Sequence, residues 1–377
     1  MRIGIFGDHP SLPTGMAIVL RNLSLSLSYL NQFELFFFGR FGQQKGFSEQ
    51  PVVHEDGMNY ELVNVEGGVW KPRLTIDIIK QYGIECVVVE DDWFSIGGML
   101  KAVRHMKVPM HFITPIDSLP IHQMAQDIFN ECTKVYVPNS SYKLVKRTPS
   151  FYLSHGVRTE EFYPKKVDRD DLFTFLWVGR DEPRKALGRF ILAFEKIYEK
   201  VPCQAIIHSD WRSETSKRTA RYLRYKRDLP IVMSQMESGT HSELNGLYNK
   251  ADVLVCTSKA GAFEMSITEA MACQLVPIVT DWTFMNEIPV NDQNGFLIPI
   301  KSKCPDYVNL WNGKVWGVPI GRKWGNVNID LLASKMQWCV ENMDEVKRMG
   351  ENGRLYVRQN YDWNKVAGRL VREILDS

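Results

Sequence analysis

The chain has 377 residues, 44% of them hydrophobic and 24% charged, which is the composition of a globular protein. That length exceeds what one compact core holds and sets an expectation of two domains. Lys and Arg (46) nearly balance Asp and Glu (44), and a net charge of +2 argues against a dedicated nucleic-acid binder. Seven scattered cysteines (Cys86, Cys132, Cys203, Cys256, Cys273, Cys304 and Cys339) form no C-x-x-C pair. Reduced thiols in the cytoplasm are therefore expected, with no disulfide framework and no zinc site. The chain enters a strand at once, which leaves no room for a signal peptide, and no apolar run approaches the ~18 residues of a membrane span.

Arg2–Gly7 (RIGIFG) reads as a buried strand, followed by a turn-rich loop through Thr14 and Gly15, then a helix over 16–29 with Leu20, Leu23 and Leu27 on one face. Phe33–Gly39 is a second strand. The opening is Rossmann-like, but it has no G-x-G-x-x-G, which disfavours a dinucleotide site. Cys86–Glu90 is a strand running into Asp91 and Asp92, expected to be a solvated strand end rather than a metal site. His111–Asp117 is a strand whose last residue either lines a site or caps a helix over 121–130. Lys134–Asn139 repeats the step, with Ser140 and Ser141 as the cap, and the charged run Lys165–Asp171 reads as a linker.

Phe173–Gly179 restarts the pattern and marks a second α/β domain, with Arg180 and Lys185 directly after the strand and a helix over 187–200. Residues 212–227 carry seven cations on a basic helix, most simply a solvated face, which also allows peripheral membrane contact. Asp252–Cys256 is a buried strand leading through Lys259-Ala260-Gly261 to a helix that Ser266 or Thr268 would cap, and Val276–Thr280 is the next strand. A strand, a Gly-bearing loop and a helix N-terminus make an anion site. Glu269, just inside that helix, is placed to accept hydrogen bonds from ribose hydroxyls. Residues 306–325, with Trp311, Trp316 and Trp324, match no motif.

The stretch from Ser258 through Phe263, Glu269-Ala-Met-Ala-Cys273 and Val276-Pro-Ile-Val-Thr-Asp281 resembles the signature of family 4 retaining nucleotide-sugar glycosyltransferases, the glycosyl transferases group 1. Gly179-Arg180 with Lys185 resembles that family's diphosphate-neutralising V-G-R-x-x-x-x-K-G, with Ala186 for the last Gly. The resemblance departs in three places. Gly261 stands where the family has the first of two glutamates, Glu264 stands where it has a glycine, and Ile116-Asp117 replaces His-Asp.

The resemblance implies a GT-B α/β fold of two facing Rossmann-like domains with a cleft between them. The expected boundaries are 1–165 on the acceptor side, 172–355 on the donor side and a helix over 356–377 crossing back. It implies metal-independent transfer with retention, from a nucleotide-diphosphate sugar of UDP or GDP type to a glycan, lipid-linked or small-molecule acceptor. No cofactor or metal is expected. The implied donor-binding residues are Gly15, Arg180, Lys185, Gly261, Ala262, Phe263, Glu264, Ser266, Ile267 and Glu269; the implied catalytic residues are Arg180, Lys185, Glu264 and Asp117. Gly261 leaves two alternatives open: an active enzyme in which Glu264 or Asp117 supplies the missing contact, or a non-catalytic sugar-nucleotide or glycan-binding relative. A GT-B epimerase or phosphorylase is disfavoured, since their residues are not visible.

Overall fold

The computed structural model describes residues 1–376 except 13, 31, 42–59, 66–69, 212, 227, 236–240, 306–309, 312–313 and 316–322. The chain forms two compact units. The first comprises Met1–Ile116, Ile121–Gly156 and Trp363–Ser377; the second comprises Asp117–Pro120 and Val157–Asp362.

In the first unit β1 (Arg2–Asp8), α1 (Gly15–Tyr29), β2 (Glu34–Arg40), β3 (Tyr60–Val65), α2 (Pro72–Tyr82) and β4 (Cys86–Glu90) are followed by α3 (Gly97–Met106) and β5 (Met110–Ile113). Then come α4 (Gln123–Phe129), β6 (Lys134–Val137) and β7 (Ser150–Tyr152). The sheet order is β3-β2-β1-β4-β5-β6-β7, all parallel. Strands buried on both faces explain the unbroken apolar runs of β1 and β4. Thr14 caps α1, its hydroxyl accepting from Ala17 N at 3.2 Å. Two expected caps are corrected. His122 rather than Asp117 caps α4, its Nδ1 accepting from Met124 N at 3.2 Å. Asn139 rather than Ser140 or Ser141 caps the short turn that follows β6, its Oδ1 accepting from Ser141 N at 3.0 Å.

The second unit runs β8 (Phe173–Val178), α5 (Leu187–Phe194), β9 (Cys203–Ser209), α6 (Glu214–Tyr225), β10 (Ile231–Gln235), α7 (His241–Tyr248) and β11 (Val253–Cys256). It continues with α8 (Met265–Ala272), β12 (Val276–Asp281), β13 (Phe296–Pro305), the small pair β14 (Leu310–Trp311) and β15 (Lys314–Val315), and β16 (Lys323–Val327). Helices α9 (Ile329–Glu341) and α10 (Met343–Asn360) close it. Its sheet order is β10-β9-β8-β11-β12-β13-β16, parallel except for the antiparallel edge strand β16.

Alternation along the strands divides the core of this unit in two. Phe173, Phe175, Trp177, Val253 and Val255 face α5, α9 and α10. Leu176, Leu254 and Cys256 face Ile267, Ala270 and Met271 of α8. The expected linker 165–171 is tethered to this unit, through Lys165 N to Asn249 Oδ1 (2.7 Å) and Arg169 to Asp252 (2.8 Å). The basic helix is α6, whose Ser216, Ala220 and Leu223 are buried while Lys217, Arg218, Arg221 and Arg224 are exposed; Arg212 and Arg227 lie outside the described residues. So does most of the Trp-rich stretch 306–325, including Trp316. The last helix, α11 (Trp363–Leu375), packs on α1 of the first unit.

Gly350 of α10 lets that helix lie against the turn after α8, since a Cβ there would run into the carbonyl of Gln274. Gly368 of α11 has open space around it. Gly350→Ala is therefore expected to destabilise the chain by about 1–3 kcal/mol. Gly368→Ala is expected to be neutral or to stabilise by up to about 1 kcal/mol. Urea midpoints at fixed slope decide this, and equal midpoints for the two variants would refute the close approach.

Candidate functional site

In each sheet the strand order reverses at one point: between β1 and β4 in the first unit, between β8 and β11 in the second. In doubly wound folds ligands bind outside the carboxyl ends of the strands at such reversals. In the second unit the loops that leave this point, 179–186 and 257–264, are cross-bonded. Lys259 N donates to Arg184 O (2.7 Å), and Arg184 Nη1 donates to Ala260 O (2.7 Å). The Thr257 hydroxyl lies 3.1 Å from both Lys185 O and Ala186 O. Gly179 (φ +154°) and Ala186 (φ +53°) turn the first loop through conformations that favour glycine, which accounts for glycine at the latter place in the motif Ala186 departs from.

At the centre of the pair sits Glu264, 5% exposed. Its carboxylate is ion-paired with the Lys185 ammonium and lies 3.4 Å from Arg184 Nη1. Burial alone would raise this carboxyl, but Lys185, Arg184 and a hydrogen bond from Ser258 together carry it below its ordinary value. Glu264 Oε1 lies 2.7 Å from where a Cβ on Gly261 would stand. The carboxylate of residue 264 thus fills the space in which a side chain at 261 would begin. Arg180 is exposed and makes no side-chain bond among the described residues.

Glu264 is also the residue before α8, which corrects the expected capping: Ser266 and Thr268 lie inside the helix, and the Thr268 hydroxyl donates to Met265 O at 2.9 Å. One turn on, Glu269 is half-buried, with Oε2 accepting from the Tyr248 hydroxyl at 2.7 Å. Burial raises its carboxyl, and that hydrogen bond lowers it in part. Tyr248, fully buried, orients Glu269 from behind.

Of the other expected donor residues, Gly261 and Ala262 are buried in the loop, Ser266 is half-buried, and Phe263 packs on Tyr361 with ring centroids 5.7 Å apart. Ile267 is fully buried, its side chain packed in the core beneath α8. Asp117 is half-buried, 3.2 Å from the Ser118 hydroxyl. Gly15 is the exposed first residue of α1.

The reversal in the first unit holds a second ion network, and it corrects the expectation of a solvated strand end. Asp91 and Glu90 are each 2% exposed. Arg40, at the end of β2, bridges Asp8 Oδ1 (3.2 Å) and Asp91 Oδ2 (2.7 Å). Trp70 Nε1 donates to Asp91 Oδ2 (3.2 Å), and the Thr14 hydroxyl donates to Asp8 Oδ2 (3.1 Å). Two acids thus share one guanidinium, and among the described residues the adjacent Glu90 Oε2 is buried without a hydrogen-bond partner. Burial first, then the charges of Asp8, Asp91 and Asp92, push the Glu90 carboxyl well above its ordinary value. Sequence reasoning missed Arg184, the orienting role of Tyr248 and this network. For Arg184 the signal was its place beside Lys185; for the network there was none, because its members are scattered along the chain.

Residues 159–306 match the family model "Glycosyl transferases group 1". A GDP-mannose:cellobiosyl-diphosphopolyprenol alpha-mannosyltransferase of Xanthomonas oryzae pv. oryzae is 22% identical over 204 residues, 54% of this chain. The match spans 47% of that relative, about half its length. Among solved structures, sucrose-phosphate synthase from Thermosynechococcus elongatus aligns at a TM-score of 0.77 and 17% identity, covering 100% of this chain and 99% of that one. A glycosyltransferase from Rickettsia africae aligns at 0.74 and 15% identity, covering 98% and 97%. Anabaena HepE in complex with UDP aligns at 0.70 and 12% identity, covering all of both chains. The two Rossmann-like units are therefore those of the expected GT-B α/β fold.

Protonation of Glu90 has a stability consequence. Its native value lies above the unfolded one of 4.5, so the native state holds an extra proton once pH exceeds 4.5. Stability falls as pH rises from there towards the native value. Glu90→Gln removes that loss. The variant is expected to melt higher than wild type at pH 7, with the difference shrinking to nothing below about pH 4.5. A Tm difference independent of pH would contradict the buried, protonated carboxyl.

Proposed function

We propose that this chain, whose residues 159–306 form a glycosyl transferases group 1 domain, transfers a sugar from a nucleotide-diphosphate donor to an acceptor hydroxyl. The observation that carries the reading is the cluster of cations where β8 and β11 part: exposed Arg180, with Lys185 and Arg184 on the same loop. A departing nucleoside diphosphate gains negative charge in the transition state, and cations fixed at that point lower the barrier. Arg180 and Lys185 are assigned to the diphosphate. Glu269 is assigned to the ribose hydroxyls, since Tyr248 holds one carboxyl oxygen and leaves the other for a ligand. Glu264 is assigned to the hydroxyls of the transferred sugar, which Gly261 has no side chain to reach. Asp117 is assigned to the acceptor by the motif it shares with the family.

The finer reading is that of a family 4 enzyme, metal-independent and retaining, with the acceptor on the first unit and the donor on the second. The bond from the anomeric carbon to the diphosphate oxygen breaks while the bond to the acceptor oxygen forms on the same face, and the acceptor proton leaves on the released diphosphate. The relatives support UDP or GDP as the nucleotide: the Xanthomonas relative is named for GDP-mannose, and HepE was solved with UDP. All seven cysteines are free, which supports a reducing compartment such as the cytoplasm. Among the described residues no helix is long and apolar enough to cross a membrane. Gly261 favours a second reading, a sugar-nucleotide-binding relative without catalysis.

Calorimetry with UDP, GDP, UDP-glucose and GDP-mannose, followed by a search for product with each donor that binds, separates the two readings. No product from any bound donor would remove the enzyme. Arg180→Ala and Lys185→Ala are each expected to lower turnover by roughly 100-fold; wild-type turnover in both would move the phosphate site elsewhere. Glu269→Ala is expected to weaken the free nucleoside diphosphate by about 1.5–3 kcal/mol. Unchanged affinity in a folded variant would take Glu269 out of the site.

A further inference from the structure

Resting on that donor site, we infer that Arg184 is a positioning residue. It holds the Glu264 carboxylate in the space beside Gly261, so that the donor sugar is read by a carboxylate moved three places along the chain. Two observations meet here. Gly261 offers no side chain, and Glu264 Oε1 stands 2.7 Å from the point where its Cβ would be. Glu264 stands at the N-cap of α8, yet its side chain makes no cap bond to that helix. Its carboxylate is instead drawn to Arg184 and Lys185 on the neighbouring loop.

The two cations have different duties. Lys185 is a flexible point charge, and a bound diphosphate competes with Glu264 for its ammonium. Once that competition begins, a carboxylate only 5% exposed keeps its charge only if another cation stays with it. Arg184 is built to stay. Its guanidinium is tied to Ala260 O at 2.7 Å, and its own carbonyl accepts from Lys259 N at 2.7 Å. Both ties fasten it to the two residues that precede Gly261. Donor binding thus passes Lys185 from Glu264 to the diphosphate, while Arg184 keeps Glu264 ionised and aimed at the sugar. A side chain at 261 and the present place of Glu264 exclude each other, so the glycine and the displaced glutamate form one device with Arg184.

The test compares a free nucleoside diphosphate with its sugar ester, using GDP with GDP-mannose and UDP with UDP-glucose. By calorimetry, Arg184→Gln is expected to leave the affinity for GDP or UDP within about threefold and to lower that for the sugar ester about tenfold or more, as loss of a charge-assisted contact does. Arg184→Lys, which keeps the charge without the fork, is expected to fall between wild type and Arg184→Gln. Melting temperatures confirm that each variant folds. Glu264→Gly should abolish the preference for the sugar ester, and the double variant Gly261→Glu with Glu264→Gly should restore it and make Arg184→Gln silent. Equal weakening of nucleotide and sugar ester by Arg184→Gln would make Arg184 a phosphate ligand, and no change in either would make it a scaffold residue; both overturn the inference. Absence of binding by wild type to all four compounds would overturn the donor site itself, and the inference with it.

Discussion

A carboxylate with 5% exposure survives in a protein only with its countercharges in place, and the donor half of this chain is arranged around one such group. Glu264 is paired with Lys185 and Arg184, which come from the loop after β8, while Glu264 itself follows β11. The pairing therefore sets how closely the two loops approach, and side-chain hydrogen bonds from Arg184 and Thr257 to backbone carbonyls repeat that approach at three further points. Removing either cation would leave a buried charge underpaired, which destabilises the folded state. The same charges are those a nucleoside diphosphate needs. An interaction that shapes the site is thus one that a ligand must rearrange.

The sheet beneath makes this arrangement possible. Strands β8 and β11 are neighbours whose loops leave in opposite directions, and apolar layers on both faces fix their ends. Helix α8 is anchored by Ile267, Ala270 and Met271, while Glu264 just before its first turn faces the loop after β8. Behind Glu269 the buried Tyr248 hydroxyl fixes one carboxyl oxygen. The first unit solves a similar problem with other residues: Arg40 gathers Asp8 and Asp91 where β1 and β4 part, and Thr14 ties the loop that opens α1 to Asp8. In both units a cation set across the strand reversal holds the loops that leave it.

Much of the fold was legible because buried parallel strands carry a plain signature. The runs RIGIFG, CVVVE, FTFLWV and DVLVC announce β1, β4, β8 and β11, and their spacing announces two α/β units. Arg180, Lys185 and Glu269 each follow a strand at a motif's spacing, and the structure puts the first two on the loop after β8 and the third on α8. What the spacing did not carry was direction. Ile267 lies within the motif, but the turn of α8 points it into the core. Asp91 is polar and follows a strand, yet Arg40 and Trp70, 51 and 21 residues earlier, draw it inside. The charged run 165–171 looked like a free linker because its partners, Asn249 and Asp252, lie some eighty residues on. Caps were misplaced for a local reason: Ser, Asn and His compete for the same N–H groups, and the backbone angle decides among them.

The most direct measurement is a crystal structure with an intact nucleotide-diphosphate sugar bound, GDP-mannose or UDP-glucose. The expected result has the diphosphate against Arg180 and Lys185, ribose hydroxyls on Glu269, and a Glu264 oxygen about 3 Å from a sugar hydroxyl while Arg184 still holds Ala260 O. A donor bound away from the loops 179–186 and 257–264, with the pair between Lys185 and Glu264 undisturbed, would contradict it.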